Sequence, residues 1–328
     1  MAINLDIKDR KLLYELDRDA RATYSDIARG ASVSKQVARY RINALEKAGA
    51  INTYFSIIDV ARLGYTIRKA FIKLQNADEK QETELLHWLE KNPEVVWLVS
   101  ADGQYDIAFG MRSVNIEKYT EQLEELDNKF GHLFLERQIA PIVKGQYFYR
   151  DYLVGKEAGT ERELAFGSVP LHPELDDKDW DILVELGKNA RVQTIEIAKK
   201  IGLSADAVAK RLKKLEKTGA IRGNVLVLGN PALGQLHYKV LVRLKSVTQK
   251  RYSSLLTFCK LHPNIFYIVK TFGVWEFEID MEVPNVPAFR KIMRELKEKF
   301  SDIIRDYSYM SIYKIHKYNF CPSKPKAP

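Results

Sequence analysis

Cysteine is scarce in this chain. Cys259 and Cys321 are the only two in 328 residues, so no disulfide framework is available and a reducing, cytoplasmic setting is expected. Long apolar runs are missing too. No stretch approaches the roughly 18 uncharged apolar residues a membrane helix needs, so no membrane role is expected. The opening Met1-Ala2-Ile3-Asn4-Leu5-Asp6 has no basic segment followed by an apolar one, so no secretory signal is expected. No Gly-rich phosphate loop and no nucleophile elbow occurs. The histidines, His87, His132, His172, His237, His262 and His316, form no recognisable acid/base pair with a neighbour. Cys259-x-x-His262 has metal-like spacing but lacks a second pair. No catalytic residue, metal site or cofactor is expected, and the chain is not read as an enzyme.

What is present is a repeat. Leu5-Asp6 and Asp9 return 170 positions later as Leu175-Asp176 and Asp179. Ala20-Arg21 returns as Ala190-Arg191, and Gly49-Ala50-Ile51 as Gly219-Ala220-Ile221. Gly64, Pro93, Gly103 and Phe130 meet Gly234, Pro263, Gly273 and Phe300. Solenoid repeats recur every 20 to 50 residues or so. This longer period marks a whole module copied once.

The first part of each module reads as three helices. Asp6 and Asp176 stand where N-caps belong, each with Asp three residues on. Leu12, Leu13 and Leu16 make one apolar stripe, matched by Ile182, Leu183 and Leu186. Ser34 and Ser204 open a third helix, with Ala38, Ile42 and Leu45 or Val208, Leu212 and Leu215 on one side. Gly49 and Gly219 occupy left-handed stops. The spacing is that of a helix-turn-helix. The second copy fits it with Ala198, Gly202 and Val208. The first departs: Ser32 stands for the turn glycine, which costs about 1 kcal/mol, and Ala38 for a larger aliphatic.

The second part alternates strand and helix. Strands are expected at Lys69–Leu74, Val95–Val99 and 133–149, and at Lys239–Leu244 and 303–319. Tyr105, Ile107, Phe109 and Met111 alternate, as do Trp275, Phe277, Ile279 and Met281, marking strands with one buried face. The order is βαββαβ. Such a sheet carries helices on one face and needs its other face covered, commonly by a second sheet. The fold class is therefore α+β: a three-helix, winged helix-turn-helix unit followed by a ferredoxin-like domain, the whole duplicated. The expected boundaries are 1–60 and 64–150, a linker at 151–173, then 174–230 and 234–321, with a disordered tail at 322–328.

The helix-turn-helix opening with Leu5-Asp6…Asp9…Leu13 and Asp19-Ala20-Arg21, repeated as Leu175-Asp176…Asp179…Leu183 and Asn189-Ala190-Arg191 and followed by βαββαβ, resembles the Lrp/AsnC family of transcription regulators. The resemblance covers nearly the whole chain twice, whereas family members usually carry one module per chain. It implies binding of double-stranded DNA by the first part. It also implies assembly and sensing of a small effector, often an amino acid, by the second. Self-association through the βαββαβ sheets is expected, within the chain or between chains.

The recognition helix of the first copy would offer Ser34, Lys35, Gln36, Arg39, Tyr40 and Asn43 to a major groove. Arg grips guanine and Gln grips adenine, each worth about 1–3 kcal/mol of discrimination. The second copy has Ser204, Ala205, Asp206, Ala209, Lys210 and Lys213 in those places, with Arg211 and Lys214 beside them. That set suits phosphates better than bases. Copy one is therefore expected to read sequence and copy two to anchor. The net charge of +9 is unevenly placed, with 18 Lys and Arg against 8 Asp and Glu after residue 221. The resemblance places an effector near Gly103, Tyr105 and Asp106, and near Gly273, Trp275 and Glu276 in the second copy. Two alternatives are a sirohaem-type tetrapyrrole decarboxylase, a known activity of this architecture, and an assembly or adaptor protein without DNA binding.

Overall fold

A computed structural model describes residues 3–155, 164–167, 175–321 and 323–324. Each copy opens with three helices: α1 (Ile7–Arg18), α2 (Tyr24–Gly30) and α3 (Lys35–Lys47) in the first. A strand follows, β1 (Ile51–Ile58). The sheet domain comprises β2 (Thr66–Leu74), α4 (Glu79–Lys91), β3 (Val95–Gly103), β4 (Ile107–Ser113), α5 (Ile116–Phe130) and β5 (Phe134–Tyr147). A short β6 (Leu164–Phe166) precedes the second copy. That copy runs α6 (Asp177–Lys188), α7 (Thr194–Ile201), α8 (Ala205–Lys217), β7 (Ile221–Leu228), β8 (Leu236–Leu244), α9 (Gln249–Leu261), β9 (Ile265–Thr271), β10 (Phe277–Val283), α10 (Val286–Phe300) and β11 (Ile304–Tyr318).

Local chemistry sets the helix ends. Asp6 and Asp9 form a reciprocal capping box, and the Asp176 carboxylate accepts from the Asp179 N–H at 2.9 Å. Ser32 does adopt the left-handed backbone, at φ +55°, where its counterpart Gly202 has φ +69°. Ser32→Gly is therefore expected to stabilise the fold by about 1 kcal/mol. Urea unfolding measures it, and an unchanged or lower midpoint rules it out.

The two sheets complete each other within one chain. The first is ordered β5-β2-β4-β3 and the second β11-β8-β10-β9. They join at both edges, β3 with β11 and β5 with β9, all antiparallel. Among the described residues the eight strands thus close on themselves, so the two copies pair their sheets within the chain. Outside one half, Leu85, Leu89, Tyr119 and Leu126 of α4 and α5 pack on Ile107 and Phe109. Outside the other, α9 and α10 pack on Phe277, Ile279 and Met281.

The helix-turn-helix units are interlocked. β1 pairs antiparallel with β7 in a separate ribbon. Leu12, Leu13 and Leu16 of the first unit share a core with Leu226 and Leu228 of the second copy. Ile182, Leu183 and Leu186 share one with Phe55, Ile57 and Ile58 of the first. The Arg21 Nη1 donates to the Ala190 and Val192 carbonyls at 2.6 and 2.9 Å. Arg191 donates reciprocally to Ala20 and Ala22. Ala20 and Ala190 are fully buried because each lies under the other copy's ribbon.

The segment expected as a linker falls largely outside the described residues, as does most of 322–328. Its described part includes a short strand. Leu164–Phe166 forms a strand on β5, with Phe166 opposite Gly145. A Cβ on Gly145 would lie 2.4 Å from the Phe166 ring, so the bare glycine makes room for it.

Candidate nucleic-acid interface and buried ionic cluster

Among the described residues nothing covers the outer face of α3. Lys35, Gln36, Arg39, Tyr40 and Asn43 are all exposed, Tyr40 by 77%. The Ser34 hydroxyl accepts from the Val37 N–H at 3.2 Å and serves as the cap. Arg41 points elsewhere: its guanidinium holds Asp6 and Asp9 at 2.7 and 2.8 Å and ties α3 to α1. Those contacts lower the Asp6 pKa, the Asp9 N–H contributing most and Arg41 next.

On α8 the same device recurs. Arg211 pairs with Asp176 and Asp179 at 2.7 Å, and Lys214 with Asp179 at 3.1 Å. Arg211 and Lys214, expected among the phosphate ligands, thus hold α8 to α6. Ser204 caps its helix through the Ala207 N–H. Lys210 and Lys213 remain exposed.

The residues expected at an effector site separate into two roles. Tyr105 and Trp275 are 3% exposed and point into the barrel around Phe71. Asp106 accepts from the Leu74 N–H and from Lys73, each at 2.7 Å. Glu276 accepts from the Leu244 N–H at 2.7 Å. Both carboxylates therefore secure neighbouring strands. Gly103 and Gly273 have φ of +119° and +112°, and a Cβ on Gly103 would meet the Tyr309 carbonyl at 2.9 Å. Above these loops lies an open depression of about 440 Å3 lined by Gln104, Tyr105, Gln138, Arg243, Trp275 and Asp306.

The barrel interior holds charges that the sequence patterning missed. Phe277, Ile279 and Met281 face the helices, as their alternation indicates. The residues between them, Glu278, Asp280 and Glu282, are 0–3% exposed inside the barrel. Lys69 Nζ sits 2.6 Å from Glu278, and Lys239 Nζ sits 2.5 Å from Asp280 and 3.2 Å from Glu278. His237 Nε2 lies 2.8 Å from Asp280 Oδ1. No sequence neighbour could reveal this pair, since the partner lies 43 positions away. Burial alone would raise the Asp280 pKa; Lys239 and then His237 outweigh it and hold it at about 2. For Lys69, burial dominates and pushes the pKa down to about 8. Period-two alternation cannot separate a sheet face in water from one turned toward a second sheet.

Arg150 extends the cluster toward the first helix-turn-helix. It binds Glu282 at 2.7 Å and Asp17 of α1 at 2.5 Å, and all three are buried. Among the described residues no group of three or more His, Cys, Asp or Glu is placed to hold a metal ion, and Cys259 is buried in the α9 core. No described helix is long and apolar enough to cross a membrane.

Comparison with known proteins follows the repeat. A winged helix-turn-helix DNA-binding model matches residues 5–52 and 175–222. The proline dehydrogenase transcriptional activator of Rhodobacter capsulatus is 30% identical over 139 residues, 42% of this chain and 90% of that protein. The leucine-responsive regulatory protein of Rhizobium meliloti is 43% identical over 61 residues, 19% of this chain and 39% of that protein. Among solved structures, the siroheme decarboxylase NirDL superposes with a TM-score of 0.59 at 12% identity, covering 95% of this chain and 93% of that one. At that identity the likeness is one of fold, tandem arrangement included.

Proposed function

From the premise that this chain belongs to the Lrp/AsnC family of DNA-binding transcription regulators, we propose that its two helix-turn-helix units divide the work. Copy one reads bases, and copy two anchors to phosphates. The observation that carries this reading is the contrast between the outer faces of α3 and α8. Lys35, Gln36, Arg39 and Asn43 are exposed and make no side-chain hydrogen bond or ion pair among the described residues, and they supply directed donors and acceptors. Their counterparts are Ala205, Asp206, Ala209 and Lys213, of which only Lys213 brings positive charge. Arg211 and Lys214 drop out of the anchoring set because Asp176 and Asp179 engage them, leaving Lys210 and Lys213.

Arg39→Ala is expected to relax base preference at one position, at a cost of about 1–3 kcal/mol on the best site. Lys213→Ala is expected to weaken all sequences alike and to flatten the salt dependence by about one phosphate's worth. Selection from a random duplex library, with and without mixed amino acids and at two salt concentrations, measures both. Uniform loss in both variants contradicts the division of labour, and failure to select any sequence favours the adaptor reading. The interlocked pair is non-identical, so an asymmetric operator is expected. Equal or better binding to a perfect palindrome of either half-site argues against it.

An amino-acid effector is assigned to the depression beside Tyr105 and Trp275. Arg243 and Asp306, paired with each other at 2.6 Å and about half exposed, offer charges for its carboxylate and amine. Asp106 and Glu276 are already committed to strand N–H groups. The protein is taken as cytoplasmic on the same family basis.

A tetrapyrrole decarboxylase is the second reading. It draws on His237, which lines a cleft of about 520 Å3 between the β1/β7 ribbon and β11 and is paired with Asp280. The regulator reading is preferred because Asp280 is also held by Lys239, and because the sequence relatives are named as transcription regulators. Titration with a sirohaem-type tetrapyrrole decides it: a shifted Soret band with product formation supports the enzyme.

A further inference from the structure

Where the two helix-turn-helix units meet, three cations, Arg21, Arg191 and Lys35, line a recess of about 230 Å3. Tyr24, Ser25 and Gln193 form most of the remaining wall, and no lining residue is acidic. Arg21 and Arg191 are partly buried, and the interlock rather than any carboxylate sets them in place. Each spends its Nη1 on carbonyls of the other copy. The Arg191 guanidinium also lies 5.1 and 5.3 Å from the ring centroids of Tyr24 and Tyr54. Among the described residues none of the three cations makes an ion pair, and Nε and Nη2 of both arginines have no hydrogen-bond partner. Burial pulls the Arg21 pKa below its ordinary value; Asp19 and Glu216 oppose this through charge alone, and Arg191 adds to it. Two guanidiniums are thus held together in a partly desolvated place with no carboxylate bridging them.

The mirrored place in the other copy is built differently. At the 170-residue offset Tyr24, Ser25 and Lys35 become Thr194, Ile195 and Ala205, and Ile195 is 56% exposed. Both places share the two arginines, but only the first adds a third cation and a serine hydroxyl. The interlock therefore does not need Lys35 or Ser25. We propose that this recess binds the phosphate group of a small anion, free phosphate or a phosphate monoester, and that its occupant competes with DNA. Guanidinium forks match the oxygens of a phosphate, and a phosphate carries close to two negative charges at neutral pH, more than a carboxylate brings to three cations. A duplex backbone fits less well, because Arg21 and Arg191 are set back between the units whereas the outer residues of α3 stand exposed. Lys35 opens α3 and belongs to both surfaces. An anion held there neutralises Lys35 and adds negative charge beside the face a duplex approaches. The competition rests on the regulator reading; the binding of phosphate does not.

Isothermal titration of the full chain without DNA, with inorganic phosphate against chloride at equal ionic strength, tests the site. Saturable binding is expected for the wild type. Ser25→Ile/Lys35→Ala is expected to bind about tenfold more weakly, the loss of one charge-assisted contact. That variant carries the other copy's own residues, so it keeps the interlock, and an unchanged urea midpoint checks this. Inorganic phosphate is then added to the chain bound to a duplex from the library selection. It is expected to weaken the wild-type complex more than chloride does, and the variant's complex no more than chloride does. Wild-type binding no stronger for phosphate than for chloride overturns the site, as does full-strength phosphate binding by the variant. A wild-type complex that responds equally to the two anions overturns the competition. If free phosphate does not bind while Lys35→Ala flattens the salt dependence of duplex binding, the recess serves the DNA backbone and the proposal fails. A chain that binds phosphate saturably but no duplex upholds the site and refutes the regulator reading instead.

Discussion

Arg150→Met is expected to destabilise the protein by about 3–5 kcal/mol, the usual cost of leaving a buried charge uncompensated. The Arg150 Nη1 donates to Asp17 Oδ1 at 2.5 Å, and its Nε donates to Glu282 Oε2 at 2.7 Å. Its main-chain N–H donates to Asp17 as well, at 2.7 Å. The guanidinium lies 4.4 Å from the Phe266 ring centroid, so methionine fills much of its space. Burial works against the Arg150 charge, but Glu282 and Asp17 outweigh it and raise its pKa above the ordinary value. The loss comes from Asp17 and Glu282, left facing each other without a cation. Asp17→Asn/Arg150→Met/Glu282→Gln is therefore expected to recover most of the stability. Urea unfolding of the three proteins checks this, and a single variant within about 1 kcal/mol of wild type contradicts it. The second copy has Gly187, Phe320 and Arg112 where the first has Asp17, Arg150 and, on the facing strand, Glu282. The charged tie thus serves the first helix-turn-helix alone, and its loss is expected to loosen the unit assigned to base reading.

Lys239→Met is expected to cost about 3–5 kcal/mol for the same reason, and Lys69→Met at least about 2 kcal/mol less. The two lysines are counterparts in the repeat and sit side by side over Trp97 and Tyr267. They differ in what they hold. Lys239 is the cation that reaches both Glu278 and Asp280. Lys69 reaches Glu278 only, and that carboxylate keeps Lys239 and the Trp275 Nε1–H when Lys69 is removed. The pH dependence has two parts. The Asp280 pKa falls from 3.8 in the unfolded chain to about 2 in the fold, so its contribution is present above about 4 and is lost as pH falls toward 2. The Lys69 pKa falls from 10.5 to about 8. Between those values the unfolded chain binds the extra proton, so stability rises with pH across that window. Burial also pushes the Lys317 pKa down to about 8, so Lys69→Met is expected to reduce the alkaline rise without abolishing it and to leave the acid loss. Equal costs for the two lysine variants, or an alkaline rise of the same size after Lys69→Met, contradict the arrangement.

Much of this was legible beforehand, and particular residues show where it stopped. The 170-residue offset revealed the duplication, and the caps at Asp6, Ser34, Asp176 and Ser204 marked helices whose ends depend on nearby backbone. The roles of Arg41 and Arg211 were not legible, because whether a helix-face arginine meets a phosphate or a carboxylate depends on how α1 and α6 cross α3 and α8. A second sheet over the inner face was expected, but not that Glu278, Asp280 and Glu282 would meet lysines, an arginine and a histidine beneath it, since alternation carries no information about which distant side chains face them. The one available signal was their mismatch with Ala108, Gly110 and Arg112 at the same offset.

The sequence by itself determined the module, its helix and strand order and its family, because propensity, capping and periodicity act over a few residues. Only the tertiary structure decided that the two sheets close within one chain, that each helix-turn-helix rests on the other copy's ribbon, and that a row of charges lies in the centre. Those outcomes depend on which distant surfaces lose water together, and that is settled only when the whole chain packs.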